Sequence, residues 1–432
     1  VTGPAPVADD RLEALFAPLR GMPRVVLAVS GGSDSTALLV LYARWAALAA
    51  DVPPALVATV DHALRAGSAA EATAVGRLAA RFGLDHRVLV WTGEKPIADL
   101  QAAARDARYE RLVEAARVAG AAAIVTAHTR DDVAETFLIR LGRGSGLAGL
   151  AAMGTRRRLD EIEHIRPFLA LSREELRASL VAAGIGWVDD PSNEDPRFTR
   201  ARVRRLMPGL AAEGLDAARL AATATRLARA RAAIDWMVDR LARDALVVSP
   251  GGFFALDPAA LQGAPEEVAL RLFSRALTAA GGGWYGPRLD KLEAAFAAVT
   301  APAAGDLRRT LAGAVVERRG GRLWIYREAG RAGLPEATLA PGRRIGWDGR
   351  FVVRLAAAAS SPVVVRALGP GARARLAPLA EKVPAAALAT VPAVWRDGHL
   401  VAAALPLAGD SGAGDSGEES SAVMFEPRFL WN

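Results

Sequence analysis

A short β-branched run, Arg24 to Val29, is interrupted by Ser30-Gly31-Gly32-Ser33-Asp34-Ser35 and followed by an apolar helical stretch from Thr36 to Ala50. Strand, Gly-rich turn, then helix is the arrangement that builds a phosphate cradle. Two adjacent glycines let the backbone approach a polyphosphate closely, while the free amides of the helix start and the serine hydroxyls donate to its oxygens. Ser30, Gly31, Gly32, Ser33, Asp34 and Ser35 are therefore expected to hold the polyphosphate of a nucleotide. A carboxylate inside an anion cradle is repulsive unless a cation bridges it, which makes Asp34 the expected Mg²⁺ ligand. The loop is not a Walker A element, because no Gly-Lys-Ser/Thr follows. Read blandly, it would be a Gly-rich turn with Asp34 as a helix cap.

The rest of the first half repeats the alternation. Ala55 to Val60, Arg87 to Trp91 and Ala122 to Thr126 read as strands, and Ala69 to Phe82 and Leu100 to Ala119 as helices. Such order implies a parallel sheet covered by helices on both faces, with ligands bound beyond the carboxyl ends of the strands. After Pro208 the character changes. Leu215 to Leu246 keeps helical spacing, with Leu220, Leu227, Ile234, Met237 and Leu241 on one expected face. Val268 to Leu277 and Arg288 to Val299 read as helices, and Leu311 to Glu317 and Leu323 to Arg327 as a hairpin joined by Arg318-Arg319-Gly320-Gly321. Gly330 to Gly342 resembles a linker, Phe351 to Leu355 and Val363 to Arg366 are strand-like, and the acidic stretch Gly409 to Ser421 reads as a flexible loop. The expected class is α/β: a parallel sheet flanked by helices, then a mainly helical middle domain and a small α+β C-terminal domain. The expected bounds are 1–210, 211–330 and 345–432, in keeping with 432 residues at roughly 150 per domain.

Cysteine is absent. This excludes disulfide frameworks, iron–sulfur clusters, thiolate zinc sites and a catalytic thiol. No apolar run reaches the roughly 18 to 20 residues that span a bilayer, and the start Val1-Thr2-Gly3-Pro4 lacks a basic segment followed by an apolar one. The expected location is the cytoplasm, with no membrane partner. The formal net charge is +7, and Lys95, Lys291 and Lys382 are the only lysines. An arginine excess suits a nucleic-acid partner but equally a GC-rich genome. Its placement says more: Arg197, Arg200, Arg202, Arg204 and Arg205 form an acid-free run, and Arg156-Arg157-Arg158 another.

The Ser30 to Ser35 loop resembles the pyrophosphate loop of the N-type ATP pyrophosphatases, which cleave ATP between the α and β phosphates and adenylylate a carbonyl-type oxygen. The sulfur-transferring members of that superfamily generally use cysteines that this chain lacks. Further blocks follow in order: Asp61-His62-Ala63-Leu64-Arg65, Ala104-Arg105-Asp106-Ala107-Arg108-Tyr109, the Ala127 to Thr136 segment that contains His128, Asp131, Asp132 and Glu135, Arg143 to Leu150, Arg166-Pro167-Phe168-Leu169, and Trp187 to Asn193. Together, over about residues 24 to 208, they resemble the tRNA(Ile)-lysidine synthases. In one departure, Ala201 stands where that family usually has Asn. The resemblance implies an adenine nucleotide alpha hydrolase-like catalytic domain followed by auxiliary domains, the last of them binding tRNA.

Residue chemistry gives each block a role beside its bland reading. Arg105 and Arg108, three apart on a helix, share a face and suit phosphate or transition-state charge; a solvated helix face is the alternative, and Tyr109 beside them reads as core. Asp132 and Glu135, three apart at a helix start with His128 one turn earlier, suit the ammonium groups of a small amino acid, with His128 placed to contact the nucleotide or move a proton. Helix capping is the alternative. No second His at ligand spacing supports a zinc site. Gly144, Gly146 and Gly149 allow close approach to a ligand or a mobile cover. The Arg197 to Arg205 run suits tRNA phosphates, or a solvated surface.

Carried through, the resemblance implies ligation of free lysine to C2 of the wobble cytidine in the CAU anticodon of tRNA(Ile), with ATP and Mg²⁺. Asp34, Arg105, Arg108, His128, Asp132 and Glu135 would be catalytic, with Asp132 and Glu135 binding lysine. Homodimerisation is left open. Two other readings share parts of this pattern: an adenylylating enzyme of a small molecule, which needs neither the basic run nor the trailing domains, and an inactive tRNA-binding relative, which would not need the carboxylates.

Overall fold

The computed structural model describes residues 4–62, 67–92, 100–159, 161–189, 195–283, 286–301, 306–379, 382–408 and 422–428. They form two compact units, Val1–Arg231 and Ala232–Asn432. The first opens with α1 (Asp9–Phe16), then alternates β1 (Val25–Ala28), α2 (Ser33–Leu48), β2 (Ala55–Asp61), α3 (Ser68–Arg81), β3 (Asp85–Val90), α4 (Leu100–Val118), β4 (Ala123–Val125) and α5 (Arg130–Leu141). A short α6 (Leu147–Leu150), the hairpin β5 (Arg156–Leu159) and β6 (Ile162–Ile165), α7 (Arg173–Ala182), α8 (Thr199–Ala212) and the start of α9 (Ala217–Ala245) follow.

The six strands lie in the order β3-β2-β1-β4-β6-β5. Pairing is parallel except between β5 and β6. Side chains alternate between the faces, as strand geometry requires. Val25 and Leu27 pack among α1, α2 and α7, whereas Val26 packs with Leu112, Val113 and Ala116 of α4. The chain therefore covers both faces, and α2, whose residues from Thr36 to Tyr42 are all buried, is the central helix of one of them. Phe16, Tyr42, Trp45 and Phe168 close that face with ring contacts of 5.3 to 5.9 Å.

Strand order reverses between β1 and β4: the chain winds outward through β2 and β3, then returns to the other side of β1. Such a switch point leaves a crevice at the carboxyl ends of the two strands. The loop after β1 is Ser30 to Gly32, and the loop after β4 carries His128. Topology thus places those two sequence blocks side by side.

The second unit holds β7 (Leu246–Val248), β8 (Phe254–Leu256), α10 (Pro258–Gly263), α11 (Glu266–Gly281), α12 (Leu289–Thr300), β9 (Leu307–Leu311), β10 (Ala314–Arg319) and β11 (Arg322–Arg327). These five strands form one sheet, β7-β8-β11-β10-β9. Beyond it run β12 (Ala337–Leu339), β13 (Arg344–Trp347), β14 (Phe351–Leu355), β15 (Val363–Ala367), α13 (Ala372–Arg375), α14 (Ala385–Ala389), β16 (Pro392–Arg396), β17 (His399–Ala403) and β18 (Val423–Pro427), in sheets of order β12-β15-β16-β17 and β13-β14-β18. One face of the five-stranded sheet packs on α11 and α12. The other, through Phe253, Val315, Trp324 and Tyr326, shares a core with Leu368, Leu388 and Val391.

Two expectations differ from this picture. The stretch Gly330 to Gly342 contains β12, whose Leu339 is buried in the final core, so it is built into a sheet and is not only a linker. On α9, Met237 is exposed while its neighbour Val238 is fully buried, because the buried stripe follows the 3.6-residue turn and Val238 is four residues beyond Ile234. The Arg156 to Arg158 run is strand β5. The stretch Gly409 to Ser421 lies outside the described residues. Among the described residues, no helix is long and apolar enough to cross a membrane.

Candidate active site

The crevice at the switch point is a cavity of about 870 Å³, near the upper end of the range for small-molecule sites. The loop from Ser30 to Ser35 forms its floor. Gly31 has φ +92°, a conformation that side-chain-bearing residues rarely adopt, and its carbonyl accepts from the Val188 amide at 2.9 Å. Ser35 Oγ accepts from the Ser30 amide at 3.1 Å and donates to the Gly32 carbonyl at 3.1 Å, which ties the turn closed. Asp34, in the first turn of α2, has its Oδ2 3.2 Å from Arg173 Nε. Burial pushes the Asp34 carboxyl pKa up, against the pull of Arg173.

The opposite wall begins at α5. Thr129 and Asp132 make a reciprocal capping box: the Thr129 amide donates to Asp132 Oδ2 at 2.9 Å, and the Thr129 hydroxyl accepts from the Asp132 amide at 3.4 Å. Capping and site chemistry are therefore not alternatives here, since Asp132 does the first and also lines the cavity. Burial acts to raise the Asp132 pKa, but Arg173 and the Thr129 amide outweigh it and hold the carboxyl below its usual value.

Arg173 opens α7, a helix capped by Ser172 and Glu175. A cation in the first turn of a helix opposes the helix dipole, so it requires acidic partners from elsewhere. It has three: Asp34 at 3.2 Å, Asp132 at 3.5 Å and Glu135 at 3.3 Å. Burial works against the charge on Arg173, yet these carboxylates raise its pKa above the usual arginine value. Arg173 is not among the site residues expected from sequence. Its mismatch with the dipole is the signal that marks it.

Of the expected site residues, Ser30, Gly32, Ser33, Asp34, Ser35, Arg108, His128, Asp132, Arg200, Arg204 and Arg205 line this same cavity. Arg105 does not line it; its guanidinium lies over the Tyr109 ring at 5.3 Å. Tyr109, expected as core, is half-buried and lines the cavity. The loop with Gly144, Gly146 and Gly149 is held to α5 by Arg140, which donates to the Gly149 carbonyl at 2.7 Å, and does not line it either.

The arginine run divides by helical phase. Arg200, Arg204 and Arg205 of α8 face the cavity, with buried Ala201 between them. Arg202 turns back to the Pro196 and Arg197 carbonyls at 2.8 and 3.0 Å, and Arg197 pairs with Asp195 at 2.6 Å. The run is acid-free in sequence but not in space. Glu135, whose side chain is 2% exposed, pairs with Arg204 at 2.6 Å, Arg200 at 3.2 Å and Arg173 at 3.3 Å. The sequence pairs Asp132 and Glu135 as receivers of one ligand's ammonium groups, whereas the fold gives them different surroundings: Asp132 on the wall, Glu135 behind three guanidinium groups. The two lie only about 60° apart in phase on α5, so the difference is set by what packs against them: Arg173, Arg200 and Arg204 cover Glu135, while Asp132 borders the cavity.

Across the lining, Arg108, Arg173, Arg177, Arg200, Arg204 and Arg205 face Asp34, Asp132 and Asp189. Six cations against three carboxylates suit a polyanion. His128, on the wall, and His164, behind it, both bond to the Thr126 hydroxyl at 2.8 Å. Burial, aided by nearby Arg166 and opposed at His128 by Asp132, pushes the His128 pKa down to about 4; burial and then Arg166 push that of His164 down to about 2. Both rings are neutral in the fold, while an unfolded histidine gains its proton near pH 6.5. Stability is therefore complete above about pH 6.5 and should fall below it, by at most roughly 1.4 kcal/mol per pH unit for each ring. Thermal unfolding of the wild type and of His164→Gln across that range checks this. An equally steep decline in the variant would remove His164 from the account.

The family described as the PP-loop domain matches residues 4–210. Curated relatives extend the match well beyond it. The tRNA(Ile)-lysidine synthase of Bradyrhizobium diazoefficiens is 47% identical over 74% of this chain and 94% of its own length. That of Methylobacterium sp. (strain 4-46) is 51% identical over 71% and 90%, and that of Ruegeria pomeroyi 41% identical over 93% of both chains. This chain belongs to the tRNA(Ile)-lysidine synthase family. In this lysidine synthase family member, the Ser30 to Ser35 turn on the cavity floor lies within the matched PP-loop domain. The agreement with Ruegeria pomeroyi runs through the second unit as well as the first.

Proposed function

We propose that this chain is an ATP-dependent ligase that joins lysine to C2 of the wobble cytidine in the CAU anticodon of tRNA(Ile). The observation that carries the reading is the shared cavity in which the pyrophosphate loop, Arg108, His128, Asp132 and the inward half of the α8 arginines meet, in a chain 41–51% identical to relatives of that name.

In the first step the cytidine C2 oxygen attacks the α-phosphorus of ATP and pyrophosphate leaves. The amides and hydroxyls of Ser30 to Ser35 hold the polyphosphate, and Arg108 with Arg173 neutralises charge developing at the α-phosphate. Mg²⁺ fits this floor in its usual manner, with one carboxylate, Asp34, beside substrate phosphates and waters; bound there it would supply Lewis-acid charge neutralisation. Asp34 would exchange Arg173 for that contact, and Arg173 would keep Asp132 and Glu135. In the second step the ε-amine of lysine attacks C2, the C2–O bond breaks, and AMP leaves with the oxygen. The attacking amine must be neutral, although its reference pKa is about 10.4. Six lining arginines disfavour a further cation and so assist deprotonation. Asp132 is the carboxylate placed to hold the amino acid, and Glu135 acts from behind by fixing Arg200 and Arg204.

The anticodon base must be unstacked to enter such a cavity, which suits a single-stranded loop. Arg205 is the arginine from which the tRNA backbone would be met at the cavity mouth, with Arg197 and Arg202 outside it. For Arg197→Ala and Arg202→Ala, tRNA affinity should weaken for every tRNA alike, with the slope of log affinity against log salt reduced by roughly 1 for each phosphate no longer neutralised. Unchanged slopes in both variants would confine tRNA binding to other surfaces. The function itself is tested by incubation with labelled lysine, ATP and either the CAU isoleucine transcript or bulk tRNA without it. Incorporation only into the former is expected; incorporation into neither would reject the ligase reading.

A further inference from the structure

We propose that His128 is a fixed hydrogen-bond donor to the ligand in the cavity, its Nε2–H tautomer set from behind by a one-way relay through Arg166, His164 and Thr126. The relay crosses neighbouring strands: Thr126 follows β4, and His164 lies on β6, paired in register with Ile124. It starts at Arg166, whose guanidinium can only donate. Arg166 Nη2 lies 3.1 Å from His164 Nδ1, so that nitrogen accepts, and the proton of neutral His164 sits on Nε2. His164 Nε2 is 2.8 Å from the Thr126 hydroxyl and donates to it. The hydroxyl has one proton, which then goes to His128 Nδ1 at 2.8 Å. His128 Nδ1 is thus an acceptor, and its own proton is on Nε2, the nitrogen left to meet a ligand in the cavity its ring lines.

Arg166 cannot accept, which fixes both bonds of His164; the proton of the Thr126 hydroxyl then has His128 Nδ1 as its acceptor among the described residues. The parts are also held in place. His164 is fully buried and Arg166 is 4% exposed. Arg166 Nη1 donates to the Gly154 carbonyl at 2.8 Å, and the Tyr109 ring packs against His164, tilted by 59° with centroids 5.3 Å apart. Arg166, Arg105 and Arg200 bring positive charge to His128, opposed by Asp132, and Arg166, Arg157 and Arg105 bring it to His164, which disfavours a second proton on either ring.

A donor at this point suits an oxygen that gains negative charge, such as a phosphoryl oxygen of the nucleotide. It also removes His128 from the set of bases that could deprotonate lysine. Thr126, His164 and Arg166 are then positioning residues. What His128 meets rests on the ligase reading; the tautomer does not.

The test is the imidazole ¹⁵N spectrum of histidine-labelled full-length protein. With five histidines in the chain, His128→Gln and His164→Gln assign the two signals. Both rings are expected as neutral Nε2–H tautomers near pH 7. In Thr126→Val, which keeps the shape and removes the hydroxyl, His128 should become a mixture of tautomers, and pyrophosphate release should slow by about tenfold; Thr126→Ser should restore both. An Nδ1–H or cationic His128 in the wild type, or a His128 spectrum unchanged in Thr126→Val, overturns the relay. Should the valine variant not fold, the wild-type spectrum decides alone. A wrong tautomer in an active ligase refutes the relay only, and the expected tautomer in a chain that incorporates no lysine refutes the ligase reading only.

Discussion

Asp34→Ala should slow pyrophosphate release by about a thousandfold, equivalent to roughly 4 kcal/mol of transition-state stabilisation, while tRNA affinity changes by less than about twofold. The size follows from where the carboxylate stands. Asp34 is in the first turn of α2 on the floor of the cavity, 3.2 Å from Arg173, and nothing else on the Ser30 to Ser35 turn carries a charge. Removing it takes away the only anionic group on that turn able to share a cation with the phosphates and leaves Arg173 with two carboxylates in place of three. Asp34→Asn keeps the volume and removes the charge, so the two variants should be equally impaired if charge is what matters. Normal pyrophosphate release in either variant would strip Asp34 of its metal-binding role. Binding of tRNA is measured separately, because the arginines proposed for it lie on α8 and the segment before it.

The second large effect is expected at Glu135. Read from sequence, Glu135→Ala should raise the requirement for lysine more than that for ATP. The fold predicts a broader loss. Its carboxylate is 2% exposed and forms ion pairs with Arg173, Arg200 and Arg204, so the variant leaves three guanidinium groups without their shared anion. Removing one partner of a buried ion pair costs about 3–5 kcal/mol, and the lower end applies because Arg200 and Arg204 are partly solvated. At roughly 2–4 °C per kcal/mol for a unit of this size, Tm should fall by about 6–12 °C. Arg200 and Arg204 line the cavity, so their release should raise KM for ATP and lysine together. Glu135→Gln keeps two acceptor or donor atoms but not the charge, and should recover little. An unchanged Tm with a selective rise in the lysine KM would show instead that Glu135 receives lysine directly.

How far each feature was legible depends on the distance over which it is encoded. The alternation of strands and helices, the phosphate turn and the α5 capping pair rest on neighbours within one or two turns of chain, and those parts of the pattern are readable from residue spacing alone. Tyr109 shows the limit. Its place on α4 is readable, but that it leaves the core to line the cavity depends on His164, on another strand. The α8 arginines show the same limit in charge: acid-free in sequence, they are neutralised in part by Glu135, 69 residues away from Arg204.

The sequence by itself determined a nucleotide-binding α/β domain with a pyrophosphate turn, the chemistry excluded by the absence of cysteine, and a family membership that spans both units. Only the tertiary structure decided which charges meet. Arg173 reaches Asp34 across 139 residues, Glu135 pairs with three arginines, and His128 is backed by His164 from a neighbouring strand. The physical reason is that spacing fixes which side of its own helix or strand a residue occupies. The partner across the crevice is set by strand order, and the reversal between β1 and β4 is what brings these distant segments within hydrogen-bonding range.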